Sequence, residues 1–287
     1  MEKQHKTWLC LAGMVIALMI LPALAAVAQM EGTPNLASAK AYEGGSYIWG
    51  DLRCWDGSGN ESFALGIKGP MGDRSDVGIS FYNATITGQD PVNNAVRTSN
   101  MQLLSLDMKW QLTSSGSWTV SWMPSAAVAT RRPTGINTGT GAFAVQDEMI
   151  FAGGLLMERK FGSWNCIINP KAAWWDSSML ASNGAMVRGF GRVVGVGVGL
   201  SKPVSRRFSF AADVTPIIDG DNAIDEVTNL LEDRPVWSAA LSYHFGGSNP
   251  NVLTVFGTNA FGPTAATSLL AAPESSVAFG VRFDHEM

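Results

Sequence analysis

Ser242 and His244 stand two residues apart, and Asn259 follows further along the chain. A hydroxyl, an imidazole and a side-chain amide are what nucleophilic catalysis uses: a nucleophile, a base beside it, and a group that orients the base. On a strand, residues i and i+2 share a face but lie about 6.5 Å apart. That is too far for direct proton transfer, so His244 reads as an ordinary wall residue. A second cluster, Asp219-Gly220-Asp221-Asn222 with Asp225 and Glu226, gathers carboxylates in one stretch. Calcium takes such oxygens, but the spacing is not that of a known calcium loop. The stretch reads as a solvated acidic loop with a short helix from Ala223 to Leu231. No catalytic, cofactor-binding or metal-ligating residue is assigned, and neither a cofactor nor an enzymatic activity is expected.

The third set is larger and depends on the elements that carry it: Asp51, Arg53, Lys68, Asp107, Lys109, Glu158, Asp213, His244 and Arg282. Each sits within an alternating apolar segment. In Leu104-Ser105-Leu106-Asp107-Met108-Lys109-Trp110-Gln111-Leu112, every second residue is large and apolar, and Asp107 and Lys109 fall between them. Strand side chains alternate between faces, so this is a strand with one greasy and one polar side. A charged pair there cannot face lipid cheaply, but it can face water inside a barrel.

Twelve such segments follow one another: 46–55, 62–68, 76–84, 104–112, 118–123, 148–160, 164–170, 192–200, 208–215, 237–245, 252–257 and 276–283. The links after the even-numbered segments are short. Those after the third, fifth, seventh, ninth and eleventh are long, and only Asp56 to Asn60 breaks the rule. Short turns on one side and long loops on the other characterise membrane barrels, with both termini on the periplasmic side. A soluble sandwich would expose faces dominated by Gly, Ala and Ser, whereas soluble surfaces are usually richer in charge. Only 15% of the residues are charged, while 31 are Gly and 10 are Trp. Trp110, Trp118, Trp122, Trp164, Trp237 and Tyr243 suit aromatic girdles at the two interfaces. Gly195, Gly197 and Gly199 face inward on the eighth segment, making room for curvature or for a folded-in loop. The fold class is therefore all-β: a closed antiparallel up-and-down transmembrane β-barrel of about twelve strands, the last pairing with the first near Tyr47 to Arg53.

The N-terminus divides off. Lys3 and Lys6 precede an apolar run from Leu9 to Leu24, and Ala26-Val27-Ala28 offers the small residues of a cleavage site. Residues 1–28 read as a signal peptide, 29–45 as a periplasmic lead-in, and 46–287 as the barrel. The whole chain carries −4, and removing Glu2, Lys3 and Lys6 takes away +1 to leave −5. An acidic chain argues against a nucleic-acid partner. Cys54 and Cys166 fall on the first and seventh strands, on opposite sides of a twelve-strand barrel. A disulfide needs Cα atoms within about 7 Å, so two unpaired, lipid-facing thiols are expected.

The signal peptide, the alternating strands and the Phe-bearing terminal strand resemble Gram-negative outer-membrane β-barrels. Three stretches resemble an uncharacterised outer-membrane β-barrel family: Ile67-Lys68-Gly69-Pro70-Met71-Gly72-Asp73-Arg74-Ser75-Asp76-Val77-Gly78-Ile79, Gly197-Val198-Gly199-Leu200-Ser201-Lys202-Pro203, and Phe245-Gly246-Gly247 with Thr258-Asn259. The resemblance implies outer-membrane lipid and the barrel-insertion machinery as partners, and it brings no activity or site with it. Some twelve-strand barrels of this wider group are phospholipases using Ser, His and Asn, but no phospholipase motif accompanies Ser242, His244 and Asn259. Two classes of function remain open: a porin-like channel for small polar solutes, and a non-conducting interaction barrel acting through outer loops that carry Arg131, Arg132, Trp174 and Trp175.

Overall fold

The computed structural model describes residues 33–40, 45–55, 61–89, 96–114, 118–134, 146–180, 186–188, 190–224, 231–245, 251–272 and 277–287. The proposed signal peptide lies outside them. Twelve long antiparallel strands form one closed cylinder. They are β1 (Tyr47–Trp55), β2 (Glu61–Gly72), β3 (Ser75–Gln89), β4 (Val96–Thr113), β5 (Trp118–Thr134) and β6 (Gln146–Phe161), followed by β7 (Trp164–Trp174), β8 (Arg192–Pro203), β9 (Phe208–Thr215), β10 (Val236–Phe245), β11 (Asn251–Thr258) and β12 (Ala278–Glu286). Each pairs with its neighbours in sequence. Closure comes from β1 against β12, from Tyr47↔Glu286 through Asp51↔Arg282 to Trp55↔Ala278. The strand continues past Phe283, so Asp284, His285 and Glu286 belong to the seam.

The alternation sets what faces out. On β4, Leu104 is 56% exposed while Ser105 beside it is 1% exposed. Leu65, Ile79, Met149, Phe151 and Phe279 are likewise exposed, and Ala64, Ser80, Tyr82, Ile150 and Ala278 are buried inside. The large apolar side chains thus coat the outside, as lipid requires. Near the end where β1 begins and β12 ends, Phe208, Tyr243, Phe245, Phe283 and His285 form a chain of ring contacts with centroids 5.1 to 6.3 Å apart. Trp110 stacks on Trp122 at 5.5 Å. These rings give the inner rim its girdle.

Several expectations are corrected. β4 has 18 residues, roughly 55–60 Å of chain at about 3.3 Å per residue. β3 to β6 therefore rise beyond the bilayer on the outer side, and most of what reads as loop in 85–100 and 124–147 is strand. Strand propensity in those polar stretches is satisfied by cross-strand pairing without a greasy face. Of the short helix expected from Ala223 to Leu231, the two ends are strand, with Ala223–Ile224 paired to Leu231–Glu232; 225–230 lie outside the described residues. A further short strand, Ile217–Asp219, bonds to β8, and Ser178–Leu180 pairs with Met186–Arg188. Trp174 ends β7 rather than lying in a loop, and Trp175 is buried against Phe190. Cys166 is free and therefore not joined to Cys54. The expectation of an unpaired thiol is met at Cys166.

Candidate functional site: the barrel lumen

Residues 33–40, expected as a periplasmic lead-in, run inside the barrel as a strap. Small polar composition suggests exposure to water, but it equally suits packing against a polar wall. Among the described residues the strap pairs with no long strand, so its polar groups need other partners, and the wall supplies side chains. Asp213 on β9 accepts from Thr33 Oγ1, Asn35 Nδ2 and Ser238 Oγ. Asn35 Nδ2 also reaches Thr258 Oγ1 at 3.2 Å. Glu158 on β6 accepts from Ser38 Oγ and from the Ala39 amide, the latter at 2.8 Å. Lys109 on β4 donates to the carbonyls of Ser38 and Lys40, and Ser121 on β5 donates to that of Ala39. Leu36 packs against β8, where a Cβ on Gly197 would stand 2.5 Å from it. The inward glycines of β8 make the space that the strap fills.

The outer half of the lumen is closed by the segment between β11 and β12. Arg53 holds Asp51 through Nε at 2.8 Å and donates from Nη1 to the Ala260 carbonyl at 3.0 Å. The Tyr82 hydroxyl donates to the Phe261 carbonyl at 2.7 Å. A buried 3₁₀ turn, Thr267–Leu269, follows. Phe261, Leu269 and Leu270 pack into an apolar cluster with Trp55, Leu103, Ile150, Trp175 and Val193. Asn222 ties this segment to the link between β9 and β10: its Nδ2 donates to the carbonyls of Leu269 and Arg234 at 2.8 and 2.9 Å. Gly220, at φ +85°, makes the turn before it, and a Cβ there would strike the Arg192 carbonyl.

Between the strap and the wall lies a cavity of about 150 Å³. Lys68, Asp76, Asp107, Lys109, Lys171 and Arg282 are its ionisable lining. Lys109 and Asp76 pair at 2.9 Å. Arg282 pairs with Asp284 at 2.7 Å and lies 4.9 Å from the Trp49 ring. Lys68 lies 5.9 Å from the Tyr47 ring. Asp107 accepts from Ser105 Oγ at 3.1 Å.

No family model and no curated protein matches this sequence. Solved structures do. The COG4313 outer membrane channel from Pseudomonas putida F1 superposes with a TM-score of 0.52 at 12% identity, over 87% of this chain and 98% of that one. The translocator domain of the autotransporter NalP from Neisseria meningitidis gives 0.53 at 12% identity, over 84% and 88%. The fold is that of an outer-membrane β-barrel. At such identities the likeness concerns the fold alone.

Within this barrel, the nine residues singled out from the sequence divide by their neighbours. Glu158, Asp213 and Lys109 hold the strap. Asp51 and Arg53 hold the outer segment. Lys68, Asp107, Lys109 and Arg282 border the cavity. His244 hydrogen-bonds Ser209 across β9 and β10 at 2.8 Å. The Ser–His–Asn grouping is not assembled: Ser242 bonds Thr254 at 2.8 Å, and Asn259 bonds the backbone of Trp237 and Pro235. Among the described residues, no group of three His, Cys, Asp or Glu could hold a metal ion. Asp76, Tyr82 and Lys171 were not singled out, and Asn222 was named only as part of the acidic stretch. Tyr82 and Asp76 share the inward face of β3 with Gly78 and Ser80, so alternation pointed to them. Lys171 follows Pro170, which reads as a strand end. The Asn169 side chain donates to the Leu155 carbonyl at 2.8 Å beside the position where proline has no N–H to offer, and β7 continues.

Proposed function

We propose that this chain is a porin-like channel for small polar solutes in the outer membrane of a Gram-negative-type bacterium. On this reading it is exported through a signal peptide cleaved after Ala28, inserted by the barrel-insertion machinery, and closed in the described state by the strap. The supporting observation is the inner lumen wall: Lys109, Glu158, Lys171 and Asp213 are all at least nine-tenths buried and hold the strap by hydrogen bonds rather than apolar packing. Burying ionisable groups costs several kcal/mol each, and a permanently sealed barrel would be served better by apolar residues. Such a wall suits a lumen that at times admits water. The interaction reading loses one of its supports, because Trp175 is buried against Phe190. In planar bilayers the purified, folded protein is expected to be mostly closed with discrete openings. Silence at every salt and voltage would overturn the reading.

A further inference from the structure

Lys171 is the one described cation to which both closing segments converge. Its Nζ donates to the Asn35 carbonyl of the strap at 3.4 Å, and to the Ser268 carbonyl and Oγ of the outer segment at 3.3 and 3.0 Å. All three partners are neutral, and its side chain is buried. Asp213 acts on it through space, but that carboxylate is taken up by Thr33, Asn35 and Ser238. An ammonium whose direct partners are all neutral gains from a carboxylate in contact with it, since charge-assisted pairs are roughly twice as strong as neutral ones.

Lys171 also lines the cavity. The cavity bears four cationic side chains and two anionic ones, Asp76 and Asp107. Ser80, 3% exposed, lines it with an Oγ that has no hydrogen-bond partner among the described residues, and so does Asn35 with its Oδ1. With Lys109 paired to Asp76 and Arg282 to Asp284, it is the Lys171 ammonium on neutral hydrogen-bond partners, together with a hydroxyl able to donate, that suits an anion with hydrogen-bonding oxygens. A volume of about 150 Å³ has room for several waters or one small organic ion.

We infer that this cavity binds a small carboxylate, and that the carboxylate draws Lys171 away from Asn35 and Ser268 and so releases the two segments from each other. The inference rests on the channel reading for its second half, the release. Its first half, binding, stands independently.

The test uses the full-length protein in detergent micelles and in bilayers, with sodium lactate as probe and lactamide as its neutral counterpart. Calorimetric titration is expected to show that lactate binds and lactamide does not. Lys171→Met should abolish binding, and Ser80→Ala should weaken it about tenfold, the effect of one charge-assisted hydrogen bond. If Lys171→Met fails to fold, the Ser80→Ala arm decides. In bilayers, lactate should raise the open probability about tenfold. Absence of lactate binding by the folded protein, equal binding of lactamide, or undiminished binding by the variants would overturn the site. Lys171-dependent binding to a barrel that never conducts would overturn the channel reading and leave the site standing. Conduction indifferent to lactate would overturn the release step and leave the channel reading standing.

Discussion

Asp213 illustrates how single residues do the work of closure. It accepts from two strap residues and from Ser238 on the neighbouring strand. Asp213→Ala removes those acceptors and leaves Thr33 and Asn35 without their wall partner. Hydrogen bonds to a charged group contribute about 1.5–3 kcal/mol each. The variant should therefore raise the labelling rate of a reporter thiol introduced as Ser38→Cys by at least about tenfold, read by mass spectrometry with a membrane-impermeant reagent. An unchanged rate would mean that the strap is held elsewhere. Gly197→Val attacks the same contact from the wall, because its Cβ would meet Leu36 at 2.5 Å. It should expose the same reporter without touching a charge. Outside the barrel, Leu104 faces lipid, and arginine near the bilayer midplane costs about 2–4 kcal/mol. Leu104→Arg should lower unfolding stability in phospholipid vesicles by that order, whereas Ser105→Ala, on the opposite face, should cost far less.

At the scale of elements, the two closing segments differ in kind. The outer segment is a small apolar core with its own 3₁₀ turn, anchored at Arg53, Tyr82 and Asn222. The strap is polar and hangs from side chains of β4, β5, β6, β7 and β9. Limited proteolysis of Tyr82→Phe, which removes the hydroxyl donor to Phe261, should show cleavage between 259 and 272 where the native protein resists. Equal resistance would show that apolar packing alone holds the segment. Period-two alternation is a local property, so the twelve strands and most of their faces were legible in the sequence; Phe279 outward and Arg282 inward follow from it directly, whereas β11, where Phe256 turns inward onto Arg53, was read only as a strand. What fills a barrel is not local. The strap's side chains carry no periodicity, and only the inward glycines of β8 hinted that something lies against them. The extensions of β3 to β6 were missed for a related reason. Above the bilayer no greasy face is needed, so the alternation fades although pairing continues. Lys171 was hidden by the proline before it.

At the scale of the whole molecule, the account joins a lipid-facing coat, a charged wall and two segments that occupy the lumen. The coat requires a membrane, and the wall suits water. The central claim is that the charged wall lines a passage which these segments close. The most direct measurement is single-channel conductance of a variant that lacks 33–40 and has 261–270 replaced by a short Gly-Ser linker, beside the native protein. Folding of both is to be verified by heat-dependent electrophoretic mobility. The account predicts rare openings for the native barrel and a steady conductance for the variant. A folded variant that stays silent would contradict it.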